Sequence, residues 1–240
     1  AYSHIALGAA RLFGIKIPEN FNFPYMALSL KDFWKRWHIS LSAWIRDYLY
    51  LPLSGIKVLN SSGQNGIGKS LSDKNKSKSN SALFLTWAIM GIWHGSNWTF
   101  LFWGLFHAFF IYLERILKPL RDQFKFLNFK LVNWGFTLVI SMLSWIPFRT
   151  NSINDTFVLY SKIFDFKNFF NLSFRENTYI ITFLILFIFI TSYYFNTLII
   201  PKIKNNFYSY IIYNIFKYLT IIFLIFIFLK PINQFIYFQF

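Results

Sequence analysis

Two of the four histidines in this chain stand where an ionisable ring is expensive. His94 lies in the run Ile92-Trp93-His94-Gly95-Ser96-Asn97-Trp98, inside a stretch from Ala82 to Leu113 that contains no formally charged residue. A titratable side chain at membrane depth costs free energy unless it is paired or used, so His94 reads as functional. Gly91, Gly95 and Gly104 interrupt the helical pattern around it, as expected where backbone bends at membrane depth and lines a cavity. An imidazole shielded from water can take a proton from an attacking hydroxyl, the task of a general base. His38 is the second candidate, in a tryptophan-rich segment upstream.

The elements that must position these rings follow from composition. Of 240 residues, 55% are hydrophobic and 23% aromatic, which places the chain outside the soluble globular class and within polytopic membrane proteins. The expected fold is all-α, a transmembrane helical protein with short or broken helices and one interfacial amphipathic helix. Cysteine is absent, which excludes disulfides, thiolate metal sites, iron–sulfur clusters and a cysteine acyl-enzyme from this chain. The net charge of +15 comes mainly from loops beside apolar segments. It fits positive-inside topology better than nucleic-acid binding, and a membrane-lipid environment follows. Ala1 opens into an amphipathic pattern without a basic leader or a cleavage site, so the chain is expected to be a fragment missing its N-terminal part.

Leu131–Phe148, Tyr179–Ile200 and Phe216–Leu229 read as simple spans, the last one short. Ala82–Leu117 is too long for one span and short for two, and reads as a hairpin of short or broken helices with both ends on one side. Ile56–Ser81 holds five lysines against one aspartate, and Lys118–Lys130 four basic residues against one aspartate; both are expected in the cytoplasm. The balanced Arg149–Asn177 segment is then outside, and Pro201–Lys217 inside. The Ser/Asn/Gly/Lys-rich Asn60–Ser81 stretch is expected to be a flexible loop. Its Gly66-Ile67-Gly68-Lys69-Ser70 ends like a phosphate loop but lacks the first glycine and a preceding strand, so a solvated linker is the preferred reading.

From Leu30 to Leu53, Trp34, Trp37, His38, Leu41, Ile45 and Tyr48 recur at three- and four-residue steps, predicting one amphipathic helix ended by Pro52. That face turns His38 toward the apolar side. Trp34, Trp37 and Trp44 are expected to be interfacial anchors. Arg46 and Asp47 read equally well as a mutually paired surface couple or as groups shaping the site.

The run Asp32-Phe33-Trp34-Lys35-Arg36-Trp37-His38-Ile39-Ser40-Leu41-Ser42, continuing through Trp44-Ile45-Arg46-Asp47-Tyr48-Leu49-Tyr50-Leu51-Pro52-Leu53, resembles the membrane-bound O-acyltransferases, in the bacterial subgroup acting on alginate or peptidoglycan. Pro18-Glu19-Asn20-Phe21-Asn22-Phe23-Pro24-Tyr25, Trp93-His94-Gly95 with Trp98-Thr99-Phe100, and Phe235-Ile236-Tyr237-Phe238-Gln239-Phe240 are similar to the family too. The chain would correspond to the C-terminal half of one such membrane domain. The resemblance implies that His94 is the catalytic histidine and His38 the second, more variable polar position. Asn97 and backbone N–H groups near Gly95 are further candidate donors, and Trp93, Trp98, Arg46, Asp47 and Tyr48 candidate substrate contacts.

Implied chemistry is transfer of an acetyl group from a cytoplasmic thioester, acetyl-CoA or a related donor, towards an extracytoplasmic polysaccharide in the bacterial inner membrane. A separate periplasmic acetyltransferase would complete delivery; no metal and no tightly bound cofactor is implied. Departures from the family pattern are His4 at an often acidic position, Ser54-Gly55 in place of Gly-Gly, and an Asn60–Ser81 loop longer than usual. His107 reads as a packed, hydrogen-bonded neighbour of the site, although two intramembrane histidines could instead hold haem. A transporter or flippase with a polar pathway is the non-enzymatic alternative.

Overall fold

The computed structural model describes residues 2–55, 73–124, 129–165 and 176–228. Among these, secondary structure is helical throughout, as the all-α expectation requires. The Gly66–Ser70 run and the Phe235–Phe240 block lie outside the described residues. The chain divides into two compact units, Ala1–Leu172 and Ser173–Phe240.

The first unit opens with α1 (Tyr2–Leu12). A single 3-10 turn at Pro24–Met26 then leads to α2 (Leu30–Arg36). Ser29 caps α2 by accepting the Asp32 N–H at 3.0 Å, and Asp32 in that first turn pairs with Arg36 at 3.0 Å. The single long amphipathic helix expected from Leu30 to Leu53 is not formed. It breaks at Trp37-His38, where His38 adopts a left-handed conformation with φ 45° before α3 (Ile39–Ile45) begins. A wide π turn over Arg46–Tyr50 joins α3 to the last turn, α4 (Leu51–Leu53). Pro52 has no N–H to give the Tyr48 carbonyl four residues back and its ring crowds that oxygen, so the helix widens by one residue there. It ends only past Leu53, where Gly55 takes φ 77°.

α5 (Asp73–His94) and α6 (Trp98–Gln123) form a hairpin as expected, but of two long, unbroken helices rather than short or broken ones, with Gly91 and Gly104 inside continuous helix. α5 starts at Asp73, so residues 73–81 are its first turns rather than part of a loop. Ala82, Leu83, Thr86, Trp87, Met90 and Gly91 form the buried face of α5; Thr99, Trp103, Gly104, His107, Ala108 and Ile111 form that of α6. Both sets recur at one-, three- and four-residue steps, one stripe per helix. Close approach is set by glycine: a Cβ on Gly104 would overlap the Trp87 carbonyl oxygen, and one on Gly91 the Phe100 carbonyl oxygen. α6 is one unbroken helix of 26 residues, about 39 Å at 1.5 Å per residue. It exceeds the ~30 Å hydrocarbon thickness of a bilayer.

α7 (Lys130–Arg149) packs on α6 and α2, and Trp134 donates its indole N–H to the Tyr25 carbonyl at 2.8 Å. α8 (Ile153–Ile163) follows, capped by Ser152. The core cluster of Leu30, Phe33, Trp34, Leu83, Trp87, Met90, Trp103, Ala108, Ile111 and Ile140 is thus assembled from α2, α5, α6 and α7.

The second unit holds α9 (Glu176–Tyr194), a π turn at Phe195–Ile199, α10 (Ile200–Lys204) and α11 (Phe207–Phe228). Its π turn also sits just before a proline, Pro201, for the same reason as at Pro52. The segment expected as a short span from Phe216 is a 22-residue helix beginning at Phe207, so most of the presumed Pro201–Lys217 loop is helical. Thr182, Thr191 and Thr197 return their hydroxyls to carbonyls four residues back, which satisfies them without outside partners. Trp98–Gln123, Lys130–Arg149 and Thr178–Lys204 are long and apolar enough to cross a membrane.

Candidate functional site

His94 is the last residue of α5, at the mouth of the Gly95–Asn97 connection. Its half-buried ring stands edge-on to three aromatic groups: Trp93 at 4.8 Å, Phe148 at 5.0 Å and Trp103 at 5.1 Å between centroids. Trp103 and Phe148 pack on each other at 5.2 Å and form a wall supplied by α6 and α7. An edge-to-face setting holds a ring by its shape and quadrupole without consuming its nitrogens. Among the described residues, none makes a hydrogen bond to either His94 nitrogen.

His38 comes from the α2–α3 break, and the two imidazoles lie within electrostatic reach of each other. Among the described residues, its buried Nδ1 has no hydrogen-bond partner. Desolvation pushes the His38 pKa down from its ordinary value, against a smaller upward push from its own backbone. The ring therefore stays neutral at ordinary pH, able to accept a proton at one nitrogen and donate from the other.

Behind this pair lies a tight indole and imidazole cluster. Trp34 is 8% exposed, so it is a core residue of α2 and not the interfacial anchor expected. Its Nε1–H donates to His107 Nδ1 at a long 3.4 Å. An imidazole that accepts at Nδ1 carries its proton on Nε2 when neutral, which sets the His107 tautomer. His107 is fully buried, stacked on Trp87 at 5.1 Å and edge-on to Trp103 at 5.0 Å. It is the packed, hydrogen-bonded neighbour that was expected. Trp37 is half-buried, stacked on Phe33 at 5.7 Å and against Trp145 at 5.0 Å; Trp44 alone of the three tryptophans is exposed.

The other candidates are placed differently. Asn97 caps α6, accepting the Thr99 N–H at 3.3 Å, and its amide donates to the Asn151 carbonyl at 2.6 Å. Both ends of that side chain are engaged in fastening the hairpin turn to the start of α8. Trp93 touches His94, whereas Trp98 turns outward and is exposed. Arg46 and Asp47 bond each other twice, at 2.7 and 3.0 Å, on an exposed part of the π turn. Tyr48 stacks there on Trp44 at 5.5 Å. Of the residues named from sequence, the fold thus gathers His94, His38 and Trp93.

Sequence reasoning missed the groups that fasten these parts. Glu114 on α6 accepts the Leu30 N–H at 2.8 Å and also bonds the Lys31 N–H, capping α2 from outside. An acid so close to the uncharged Ala82–Leu113 stretch was the available signal. Arg115 donates to the Tyr50 hydroxyl at 3.1 Å and reaches Ser79 and Asn80, tying the π turn to the hairpin. Trp103 and Phe148 carry no sequence mark that separates them from the many other aromatics.

The MBOAT, membrane-bound O-acyltransferase family matches this chain over residues 1–153. A probable alginate O-acetylase of Azotobacter vinelandii is 34% identical over 165 residues, which cover 69% of this chain and 29% of the relative. The peptidoglycan O-acetyltransferase of Helicobacter pylori is 36% identical over 152 residues, 63% of this chain and 26% of that protein. The teichoic acid D-alanyltransferase of Bacillus subtilis is 35% identical over 127 residues, covering 52% and 30%. The chain thus spans under a third of the length of these relatives, and the family match over residues 1–153 contains α1 to α7 with both histidines. A helix-breaking histidine pair set in apolar helices and a match over residues 1–153 agree: this chain belongs to the membrane-bound O-acyltransferase family.

Proposed function

We propose that the protein is an acyltransferase in which His94 acts as general base, with His38 beside it. The observation that carries this reading is the half-buried His94 ring at the end of α5, edge-on to the Trp103 and Phe148 wall, with His38 at a second helix break within electrostatic reach of it. The acceptor hydroxyl attacks the thioester carbonyl as His94 takes its proton. The new O–C bond forms, the C–S bond breaks, and the proton passes to the departing thiolate. His38 in its neutral form orients the acceptor or donates to the developing oxyanion.

The relatives named for alginate, peptidoglycan and teichoic acid share the transfer of an acyl group to an envelope polymer. We take the donor to be acetyl-CoA or another cytoplasmic thioester and the acceptor to be an extracytoplasmic polysaccharide, reached through a periplasmic acetyltransferase partner. The setting is a multi-pass protein of the bacterial inner membrane, with the lysine-rich connections on the cytoplasmic side. The test is His94→Ala in the protein in its own membrane, read as base-labile O-acetyl groups on envelope polysaccharide and as CoA release by isolated membranes. Both should fall by about 10²–10⁴-fold. Retained thioester cleavage would overturn the catalytic assignment. A transporter would move substrate without ever releasing CoA.

A further inference from the structure

His38 holds a left-handed backbone conformation that L-residues with a Cβ avoid, and nothing in its own helix explains it. The explanation lies 18 residues upstream, in the Asn20–Phe23 segment. The Asn20 carbonyl accepts the Ile39 N–H at 3.0 Å, and its side-chain Oδ1 accepts both the Ser40 N–H at 2.9 Å and the Ser40 hydroxyl at 2.6 Å. On the other side of the break, the Asn22 N–H donates to the Arg36 carbonyl at 2.9 Å. Phe21 between them sets its ring edge-on to Trp37 at 5.0 Å and 6.2 Å from the His38 ring.

His38 is the N-cap position of α3 but makes no capping bond itself. Asn20 supplies that cap in its place, from a distant part of the chain, and so satisfies the first N–H groups that a broken helix leaves open. The four hydrogen bonds flank His38 on both sides and leave its imidazole unused. This inference rests on the reading of His38 as a site residue. We infer that Asn20 is a positioning residue for the reaction: through Ile39 and Ser40 it locks the α2–α3 break and thereby aims the His38 ring at the site of His94.

Both contacts of the Asn20 side chain are made by its oxygen, so Asn20→Asp keeps them and Asn20→Ala removes them. Two readouts in the membrane-embedded protein separate aim from fold: turnover with donor KM, and the modification rate of His38 by diethyl pyrocarbonate, read by peptide mass spectrometry. For Asn20→Ala, turnover should fall about tenfold or more with donor KM unchanged, because a misplaced catalytic group costs rate before binding. His38 modification should quicken several-fold as the ring is released. Asn20→Asp should restore both. Should Asn20→Ala fail to accumulate, Ser40→Ala removes the 2.6 Å contact alone and should shift both readouts in the same sense by a smaller factor. Unchanged His38 reactivity in whichever variant accumulates overturns the inference, as does Asn20→Asp behaving like Asn20→Ala. His38→Ala with full turnover would instead overturn the functional reading of His38, with the modification rates still reporting on the lock.

Discussion

The two histidines are delivered by helix breaks of opposite construction. At His94 the break follows glycine: α5 stops, Gly95–Asn97 turns, and α6 starts under an ordinary asparagine cap, with Gly91 and Gly104 letting the two helices touch. Neither His94 nor its neighbours in the turn takes a positive φ. At His38 there is no glycine, the histidine itself occupies the left-handed region, and a remote segment holds it there. The first break is built into the local chain, whereas the second exists only once the fold has closed. A histidine at the first kind of break is placed by packing of large elements, and one at the second by a few hydrogen bonds. The second is the natural point of adjustment.

The largest way to break the first construction is Gly104→Val. Its Cβ would overlap the Trp87 carbonyl oxygen, a backbone atom that cannot step aside, so about 3 kcal/mol or more of overpacking is expected. The measurement is the yield of monodisperse protein after detergent extraction, which should collapse. Glu114→Leu comes next, since it strips the carboxylate from two backbone N–H groups at the head of α2. A loss of about 2 kcal/mol should appear as a lowered melting temperature, with hydrogen exchange rising first in residues 30–36.

His38→Gly against His38→Ala sharpens the contrast. Glycine accepts φ 45° and alanine does not, so the glycine variant should be more stable than the alanine one by about 1 kcal/mol, although both lose the imidazole and its activity. Equal melting temperatures would show that the strain is not there. Trp34→Phe keeps most of the ring but withdraws the donor from His107; because that bond is 3.4 Å long, a cost of about 1 kcal/mol or less is expected.

The smallest effect is a pH dependence. His38 is depressed below its ordinary 6.5 by burial, so the unfolded chain binds a proton that the folded one resists as pH falls below that value. Stability is full above the ordinary value and declines as pH drops toward the depressed one. His38→Asn should flatten this acid-side slope in thermal melts.

Much of the frame was legible in the sequence because its signals are local. Uncharged length announced the helices and Gly95 the hairpin turn, while an ionisable ring among apolar neighbours marked His94 as the candidate. Periodicity failed at His38, where Trp34, Trp37, His38 and Leu41 obey helical spacing although the helix is broken between them. The bonds that break it come from Asn20, and no window around His38 contains that residue. Trp34 misled for a related reason: a tryptophan near basic residues has the same composition at an interface as in a core, and only Trp87, Trp103 and His107 closing around it decide between the two. Pro52 was read as a stop, yet a single widened turn absorbs it.

α6 has a role that its sequence of large aromatics conceals. Glu114 grips the head of α2, His107 receives Trp34 from its middle, Arg115 holds Tyr50 at the end of the π turn, and Gly104 seats α5. Both histidine carriers are therefore referenced to one rod and not to the peptide that joins Gly55 to Asp73. In manufacturing terms α6 is the jig on which both carriers are set. Expressing residues 1–55 and 73–240 as separate chains should still yield a pair that copurifies from the membrane, because the contacts of α6 with Leu30, Trp34 and Tyr50 cross between the two pieces.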